Sequence, residues 1–247
     1  MINTYNETDL HRTLKNIYAL EHGGKTEQKS GNWICDIITD TDDIIEIQTA
    51  NISNLKQKTA FFLSGGRRIT IVHPVAVCKT INTYSQDGTL LSSRKSPKAE
   101  TVYSILRGLT GMHEYLLNPN FTLEVLYTEI TEERLKTDSP SQLVNKSRHH
   151  LKEWVPLNKK LEKITGKTIF MTSEDYLSLI PQTVSGTFTV RELETAIFSK
   201  DWGAKLSKSN LKKAASQARL LIWLLTKINL VEECGKSGRS KLYRTKK

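Results

Sequence analysis

The sequence has few cysteines and no long apolar run, and both features narrow the class of protein. Cys35, Cys78 and Cys234 are far apart and odd in number, which fits neither a zinc-site spacing nor a disulfide framework. No apolar stretch approaches the roughly 20 residues that cross a membrane. The opening MINTYNETDL lacks the basic and apolar segments of a signal peptide. We therefore predict a cytoplasmic protein with reduced thiols and no membrane partner.

Acidic residues are scarce in the C-terminal part of the chain. The whole sequence has a formal charge of +10, and from Gly203 onward twelve Lys or Arg residues stand against two Glu. This tail therefore holds the entire positive excess. Such a concentration favours a polyanionic partner, nucleic acid first, although plain solubility is the alternative explanation.

Apolar periodicity predicts a mixed α/β (α+β) sheet flanked by helices over residues 1–135. A first helix, in NETDLHRTLKNIYALEHG, ends at a glycine pair. The expected elements after it are two apolar strands (WICDII and IIEI), a helix (SNLKQKTAFFL), a long bent strand or strand pair (RRITIVHPVAVCKTINTY), a basic loop, a helix (AETVYSILRGLTGMHEYL) and a strand (NPNFTLEVLYTEITEER). Residues 136–170 are predicted to be a connector with short strands, and residues 171–247 a second, mainly helical domain.

Two carboxylates interrupt the apolar strands that follow the first helix. If the turn is centred on Thr41, Asp36 and Glu46 face each other across an antiparallel hairpin with Cβ atoms roughly 5 Å apart. Like charges at that distance are destabilising unless they share a proton or bind a cation, and a divalent metal with oxygen ligands suits them. Gln48 lies on the same face as Glu46. Alternatively, Asp36 and Glu46 are ordinary polar residues on an exposed sheet face, but the isoleucines that surround them in the sequence make a solvated face unfavourable.

These residues resemble the core of the PD-(D/E)XK nuclease superfamily, in which an Asp is followed about ten residues later by Glu-x-Lys on the next strand, with a Glu on a preceding helix. The matching pieces are Glu7, Asp36 and Glu46-Ile-Gln48, with Gln48 in place of the usual Lys. The resemblance implies a restriction-endonuclease-like fold and Mg²⁺- or Mn²⁺-dependent phosphodiester hydrolysis, with Glu7, Asp36 and Glu46 as metal ligands. It further implies that Gln48, or Lys56 or Lys58 of the following helix, positions the attacking water or the phosphate.

The C-terminal 77 residues, 171–247, predict a winged-helix DNA-binding domain. A capping box at Thr189 and Glu192 opens one helix, and SKSNLKKAASQARLLIWLLTKINLV reads as a long helix with a buried stripe of Leu211, Ala214, Ala215, Ala218, Leu221, Ile222 and Leu225. LVEECGKSGRSKLYR then reads as a basic hairpin. In a winged helix such a long helix enters the major groove by its N-terminal residues. The expected nucleic-acid contacts are Lys208, Asn210, Lys212, Lys213 and Gln217 on the helix, Lys236, Arg239 and Lys241 on the wing, and Arg94, Lys95 and Lys98 in the basic loop of the first domain. Winged helices also serve as protein-interaction modules, which is the alternative.

The segments NETDLH, IIEIQT, RKSPK and NPNFTLEVL, in this order before a C-terminal winged helix, also resemble an uncharacterised family of bacterial proteins. Together these patterns predict a divalent-metal-dependent DNA endonuclease of restriction, defence or repair type, associated with the nucleoid. A catalytically inactive nuclease-fold DNA-binding regulator is the alternative, for which Gln48 is the warning. RNA is the less favoured substrate, and a homodimer is expected if both strands of a duplex are cut.

Overall fold

The structure is a computed structural model that describes residues 7–141, 151–203 and 207–246. Its larger sheet has seven strands in the order β1-β2-β3-β4-β6-β7, with β5 paired to β4. The strands are β1 (Lys25–Ser30), β2 (Trp33–Ile38), β3 (Ile44–Ile47), β4 (Ile69–Tyr84), β5 (Leu90–Lys95), β6 (Phe121–Ser141) and β7 (Lys152–Phe170). The pairs β3–β4 and β4–β6 are parallel and the other pairs antiparallel, so the predicted mixed sheet is confirmed.

In the described part of the chain, three α-helices accompany this sheet, α1 (Asp9–Glu21), α2 (Lys56–Ser64) and α3 (Leu106–Thr110). Short 3-10 helices, Ile52–Leu55 and Val102–Ile105, precede α2 and α3. Helix α1 begins after Thr8, whose side chain caps it by accepting the N–H of His11. Its apolar face, which includes Leu10, Leu14 and Tyr18, packs with Ile45 of β3 and other sheet residues in one buried cluster. This packing lays α1 across the strands that carry Asp36 and Glu46.

The C-terminal part contains helices α4 (Ser173–Leu177), α5 (Val190–Trp202) and α6 (Lys208–Lys227) and a three-stranded sheet in the order β8-β10-β9. Its strands are β8 (Thr187–Thr189), β9 (Val231–Ser237) and β10 (Ser240–Thr245). The predicted capping box joins Thr189 and Glu192. Both α5 and α6 contribute to a buried cluster that also contains residues of α3 and β6, so the C-terminal helices share an apolar core with the large sheet.

Several local predictions are wrong. The polar stretch after α1 forms β1, and Arg94 and Lys95 lie on β5 rather than in a loop, because β5 adds its hydrogen bonds to the end of β4. Residues 152–170 form one strand of the main sheet instead of short connector strands, since they pair with β6 along most of its length; residues 142–150 lie outside the described part. Leu211, predicted on the buried stripe of α6, is 41% exposed.

Candidate active site

Asp36 and Glu46 contact each other across β2 and β3. The register predicted from the turn is confirmed by the pairs Ile37–Ile45 and Ile38–Ile44. At the next position each side chain bonds to the opposite strand: Glu46 Oε1 accepts the N–H of Asp36 at 3.2 Å, and Asp36 Oδ2 accepts the N–H of Ile47 at 2.8 Å. The two carboxylates thus lie side by side where the ladder ends.

Lys58 brings a positive charge to this pair from helix α2. Its ammonium lies 2.6 Å from Glu46 Oε1 and donates to the carbonyl of Ile34 at 2.6 Å. The side chains of Lys58 and Glu46 are only 8% and 4% exposed. Of the three residues predicted to position the attacking water or the phosphate, Gln48, Lys56 and Lys58, it is therefore Lys58 that lies beside Glu46.

The other two candidates for that place lie elsewhere. Lys56 is directed to Glu114, 3.3 Å away on the surface. The side-chain oxygen of Gln48 accepts the backbone N–H of Ala50 at 3.3 Å. The backbone carbonyl oxygen of Gln48 lies 2.5 Å from Nδ1 of His73. Among the described residues neither Lys56 nor Gln48 forms a hydrogen bond or ion pair with Asp36 or Glu46.

His11 of α1 links Glu7 to Asp36. Its Nδ1 is 2.6 Å from Glu7 Oε1 and its Nε2 is 3.4 Å from Asp36 Oδ2. Glu7 does not lie on the helix as predicted, but just before its cap, Thr8. In this position its carboxylate bonds to His11 and to Lys15 rather than directly to Asp36. Glu7 is therefore placed to orient the imidazole that contacts Asp36.

The charges of this cluster shift the pKa of each carboxylate in a different direction. Burial and the neighbouring charge of Asp36 raise the pKa of Glu46 to about 7, although Lys58 opposes the rise. Burial alone would raise the pKa of Asp36, but His11, the N–H of Ile47 and the charge of Lys58 lower it below its usual value. Burial likewise opposes protonation of His11, yet Asp36 and Glu7 raise its pKa. Asp36 is thus held as an anion beside a Glu that resists ionisation.

The carboxylate oxygens of Asp36 and Glu46 suit a divalent ion that prefers oxygen ligands. Asp36 Oδ1 and Glu46 Oε2 accept no hydrogen bond from the described residues. Within the same residues, no three His, Cys, Asp or Glu side chains form a group that could hold a metal ion. Two adjacent carboxylates without a third protein ligand fit Mg²⁺ or Mn²⁺, because Mg²⁺ keeps several waters and takes further ligands from substrate phosphates. They do not fit a structural zinc site.

Lys15 pairs with Glu7 at the edge of the Asp36 cluster, and its replacement tests how much this pairing contributes to stability. Its ammonium, 7% exposed, bonds to Glu7 at 2.6 Å and also to Glu27. Replacement by Met leaves Glu27 without this cation and Glu7 with His11 as its remaining partner in the cluster, so we expect a loss of about 1–2 kcal/mol in the free energy of unfolding. Urea denaturation checks this, with Arg12→Gln as the control, since the exposed Arg12–Asp9 pair is expected to contribute at most about 0.5 kcal/mol. Equal losses in the two variants would contradict the importance assigned to Lys15.

The predicted nucleic-acid contacts lie in three places: α6 with the β9–β10 hairpin, a cleft, and β5. Lys208, Lys212, Lys236 and Arg239 are exposed at the start of α6 and on the β9–β10 hairpin. Lys241 is exposed but paired with Glu233 at 2.8 Å, and Asn210 is half-buried. Lys213 and Gln217 instead line a cleft together with Lys98, while Arg94 and Lys95 are exposed on β5.

Comparison with known proteins places the chain in a family. Residues 8–171 match the family Domain of unknown function (DUF8091). The chain belongs to this family. The DUF8091 region contains α1, the whole seven-stranded sheet and the cluster around Asp36 apart from Glu7.

An uncharacterized protein of Treponema pallidum (strain Nichols) is 28% identical over 185 residues, which is 73% of this chain and 70% of that protein. No solved structure matches the chain. Among the described residues, no helix is long and apolar enough to cross a membrane.

Proposed function

We propose that the protein is a divalent-metal-dependent DNA endonuclease. The observation that carries this proposal is the contact of Asp36 and Glu46 on adjacent strands, with the buried ammonium of Lys58 at 2.6 Å from Glu46. Two carboxylates and a cation at the end of a strand pair are suited to phosphodiester hydrolysis. The mixed sheet, with an Asp on one strand and a Glu ten residues later on the next, supports a restriction-endonuclease-like fold.

Each side chain of the cluster has a role in this proposal. Asp36 and Glu46 would hold the metal ion, and Glu7 acts one step away, through His11. A bound Mg²⁺ ion would lower the pKa of a water and offset charge on the phosphate. The ammonium of Lys58 is placed to orient the attacking water or to stabilise the negatively charged phosphate. His11 fixes the orientation of Asp36 by its contact at 3.4 Å.

The C-terminal part would supply DNA affinity as a winged helix. Helix α5, helix α6 and the β9–β10 hairpin follow each other in the order of that domain, and the exposed lysines and Arg239 support a phosphate-binding surface. Most of these contacts would go to phosphates and would position the protein without reading sequence. A cut through both strands of a duplex would use two copies of the chain.

Incubation of the purified protein with supercoiled plasmid tests the proposal. We expect nicked and linear products in Mg²⁺ or Mn²⁺ and none in EDTA. Structured RNA added as a competitor should reduce cleavage less than an equal mass of duplex DNA. Intact plasmid in both metals, with DNA binding retained, would contradict the endonuclease.

The winged-helix surface makes a separate prediction on salt dependence. The double variant Lys208→Gln/Arg239→Gln removes two exposed charges and should weaken DNA binding at 100 mM salt about three- to tenfold. The slope of log K against log salt should fall by about 1 for each phosphate that the variant no longer neutralises. Fluorescence anisotropy with a labelled duplex measures both quantities. Lys163→Gln, an exposed change on β7, is the control, and an equal effect there would assign binding to overall charge.

A binding-only regulator is the second candidate, and Gln48 favours it, because it stands in place of the usual Lys and its side chain accepts the N–H of Ala50. In such a regulator the pairing of Lys58 with Glu46 would persist on DNA. An ammonium 2.6 Å from Glu46 neutralises one of the two proposed ligands without any metal. If this pairing persists on DNA, the cluster serves stability alone. The plasmid assay separates the two, because a regulator retains DNA binding in EDTA and cleaves in neither metal.

A further inference from the structure

A cleft of about 410 Å³ lies between the large sheet and helix α6. One wall comes from Ala76 and Lys79 in the middle of β4 and from residues 98–107, and the other from Trp202 and from α6. Residues of the large sheet's part of the chain and residues of the C-terminal helices therefore both line it. Its volume falls in the range of small-molecule sites, about 300–1,000 Å³.

Basic side chains outnumber acidic ones in the lining of this cleft. Lys79, Lys98, Arg107 and Lys213 stand against one acidic residue, Glu100. Lys79 is paired with Glu132 at 2.9 Å, and Glu100 accepts the N–H of Ala76 at 2.8 Å.

Three further cations line the cleft. Among the described residues, Lys98, Arg107 and Lys213 form no ion pair. Cations that converge on a concave surface without carboxylate partners favour binding of an anion.

The cleft also contains a hydrogen-bond acceptor that lacks a donor. The side-chain oxygen Oε1 of Gln217 is buried, and no described residue donates to it. A buried acceptor without a partner has a cost that a ligand donor would remove. Trp202 adds an aromatic surface to the same wall, against which a planar ring could stack.

We propose that this cleft binds a nucleotide-sized phosphorylated ligand. Lys98, Arg107 and Lys213 would hold the phosphate, Gln217 Oε1 would accept a hydroxyl or amino hydrogen, and Trp202 would contact the base. An inorganic anion without a hydroxyl, such as sulfate, would leave Gln217 without its donor, and inorganic phosphate would leave Trp202 without a ring. A duplex is too wide for a cleft of this volume. This site involves none of the residues around Asp36, so it does not rest on the endonuclease proposal.

Isothermal titration with ribonucleoside mono- and diphosphates tests this site, in EDTA so that the carboxylate cluster cannot bind nucleotides through a metal. We expect at least one of these nucleotides to bind, its nucleoside not to bind, and inorganic phosphate to bind at least about tenfold more weakly. Binding by no nucleotide of the set at millimolar concentration would overturn the proposal.

Variants locate the binding. Lys213→Gln and Arg107→Gln should each weaken nucleotide binding at least about tenfold, whereas Arg219→Gln, an exposed change on α6 outside the cleft, should leave it unchanged. Gln217→Leu should weaken nucleotide binding but not phosphate binding, and the melting temperature of the unliganded protein should not fall. Nucleotide binding that survives Lys213→Gln and Arg107→Gln would overturn the proposal. The proposal would also be overturned if the wild type bound no nucleotide and the two variants lost binding to duplex DNA, because the cleft cations would then serve DNA binding.

Discussion

Asp36→Asn and Glu46→Gln are each expected to lower the rate of plasmid cleavage about a hundredfold to a thousandfold. Each change removes a negative charge that would hold the metal ion, and removal of one preorganised electrostatic contribution in an active site costs about 10²–10³ in rate. Both replacements keep an oxygen that can accept the backbone N–H now bonded to the carboxylate. The fold should therefore persist, and the affinity for DNA in EDTA should stay within about twofold of the wild type.

Asp40→Asn is the matched control for these variants. Asp40 is an exposed carboxylate at the turn between β2 and β3, four residues from Asp36, and its replacement should leave cleavage unchanged. Full activity in Asp36→Asn or Glu46→Gln, or equal loss in Asp40→Asn, would exclude the carboxylate pair as the catalytic centre.

Lys58→Met is expected to reduce both cleavage and stability. If Lys58 orients the attacking water or stabilises the phosphate, its loss should slow cleavage about a hundredfold. The change also leaves Glu46 buried without its cation. Because the pKa of Glu46 is already raised to about 7, part of that cost is avoided by protonation. We therefore expect a loss of about 2–4 kcal/mol in the free energy of unfolding, below the upper end for a broken buried ion pair.

Lys56→Met, two residues away on the same helix, separates these effects from a general loss of charge. Lys56 is 42% exposed and pairs with Glu114 on the surface, so its replacement should change the rate less than about twofold and the stability by less than about 1 kcal/mol. Cleavage at the wild-type rate in a folded Lys58→Met protein would remove Lys58 from the active site and make Gln48 the candidate for its role.

The contact of Asp36 with Glu46 could be predicted from the sequence because antiparallel pairing around a known turn fixes which residues face each other. The identity of the third residue could not be predicted in the same way. Gln48, Lys56 and Lys58 are all within reach in sequence, and the choice depends on how α2 is rotated against the sheet. That rotation is set by packing, including the burial of Phe62, rather than by the motif.

The sequence alone does not single out His11, because one histidine on an amphipathic helix is more often a packing residue. A signal is present in the spacing, since Glu7 is four residues before His11, and residues four apart are neighbours on a helix; although Glu7 precedes the Thr8 cap, it still lies 2.6 Å from His11. What the spacing cannot give is the direction of α1 across β2, which brings the imidazole to Asp36.

The missed strands share a different cause. In β7 most side chains are exposed or half-buried, so no clean alternation marks it, and its backbone pairing with β6 defines it as a strand. For β1 there is a readable signal: Gly31-Asn32 joins Ser30 to Trp33 as a two-residue turn, with Gly31 at φ 58°. Such a turn is typical of a hairpin.

Mn²⁺ binding followed by electron paramagnetic resonance tests the metal site most directly. Wild-type protein and the double variant Asp36→Asn/Glu46→Gln would be titrated with Mn²⁺ in the presence of the same DNA duplex at a concentration that saturates the protein. We predict that the wild type removes free Mn²⁺ from solution beyond the amount bound by DNA, and that the double variant does not. Identical titrations of the two proteins would contradict the account, because the carboxylate pair would then hold no divalent ion.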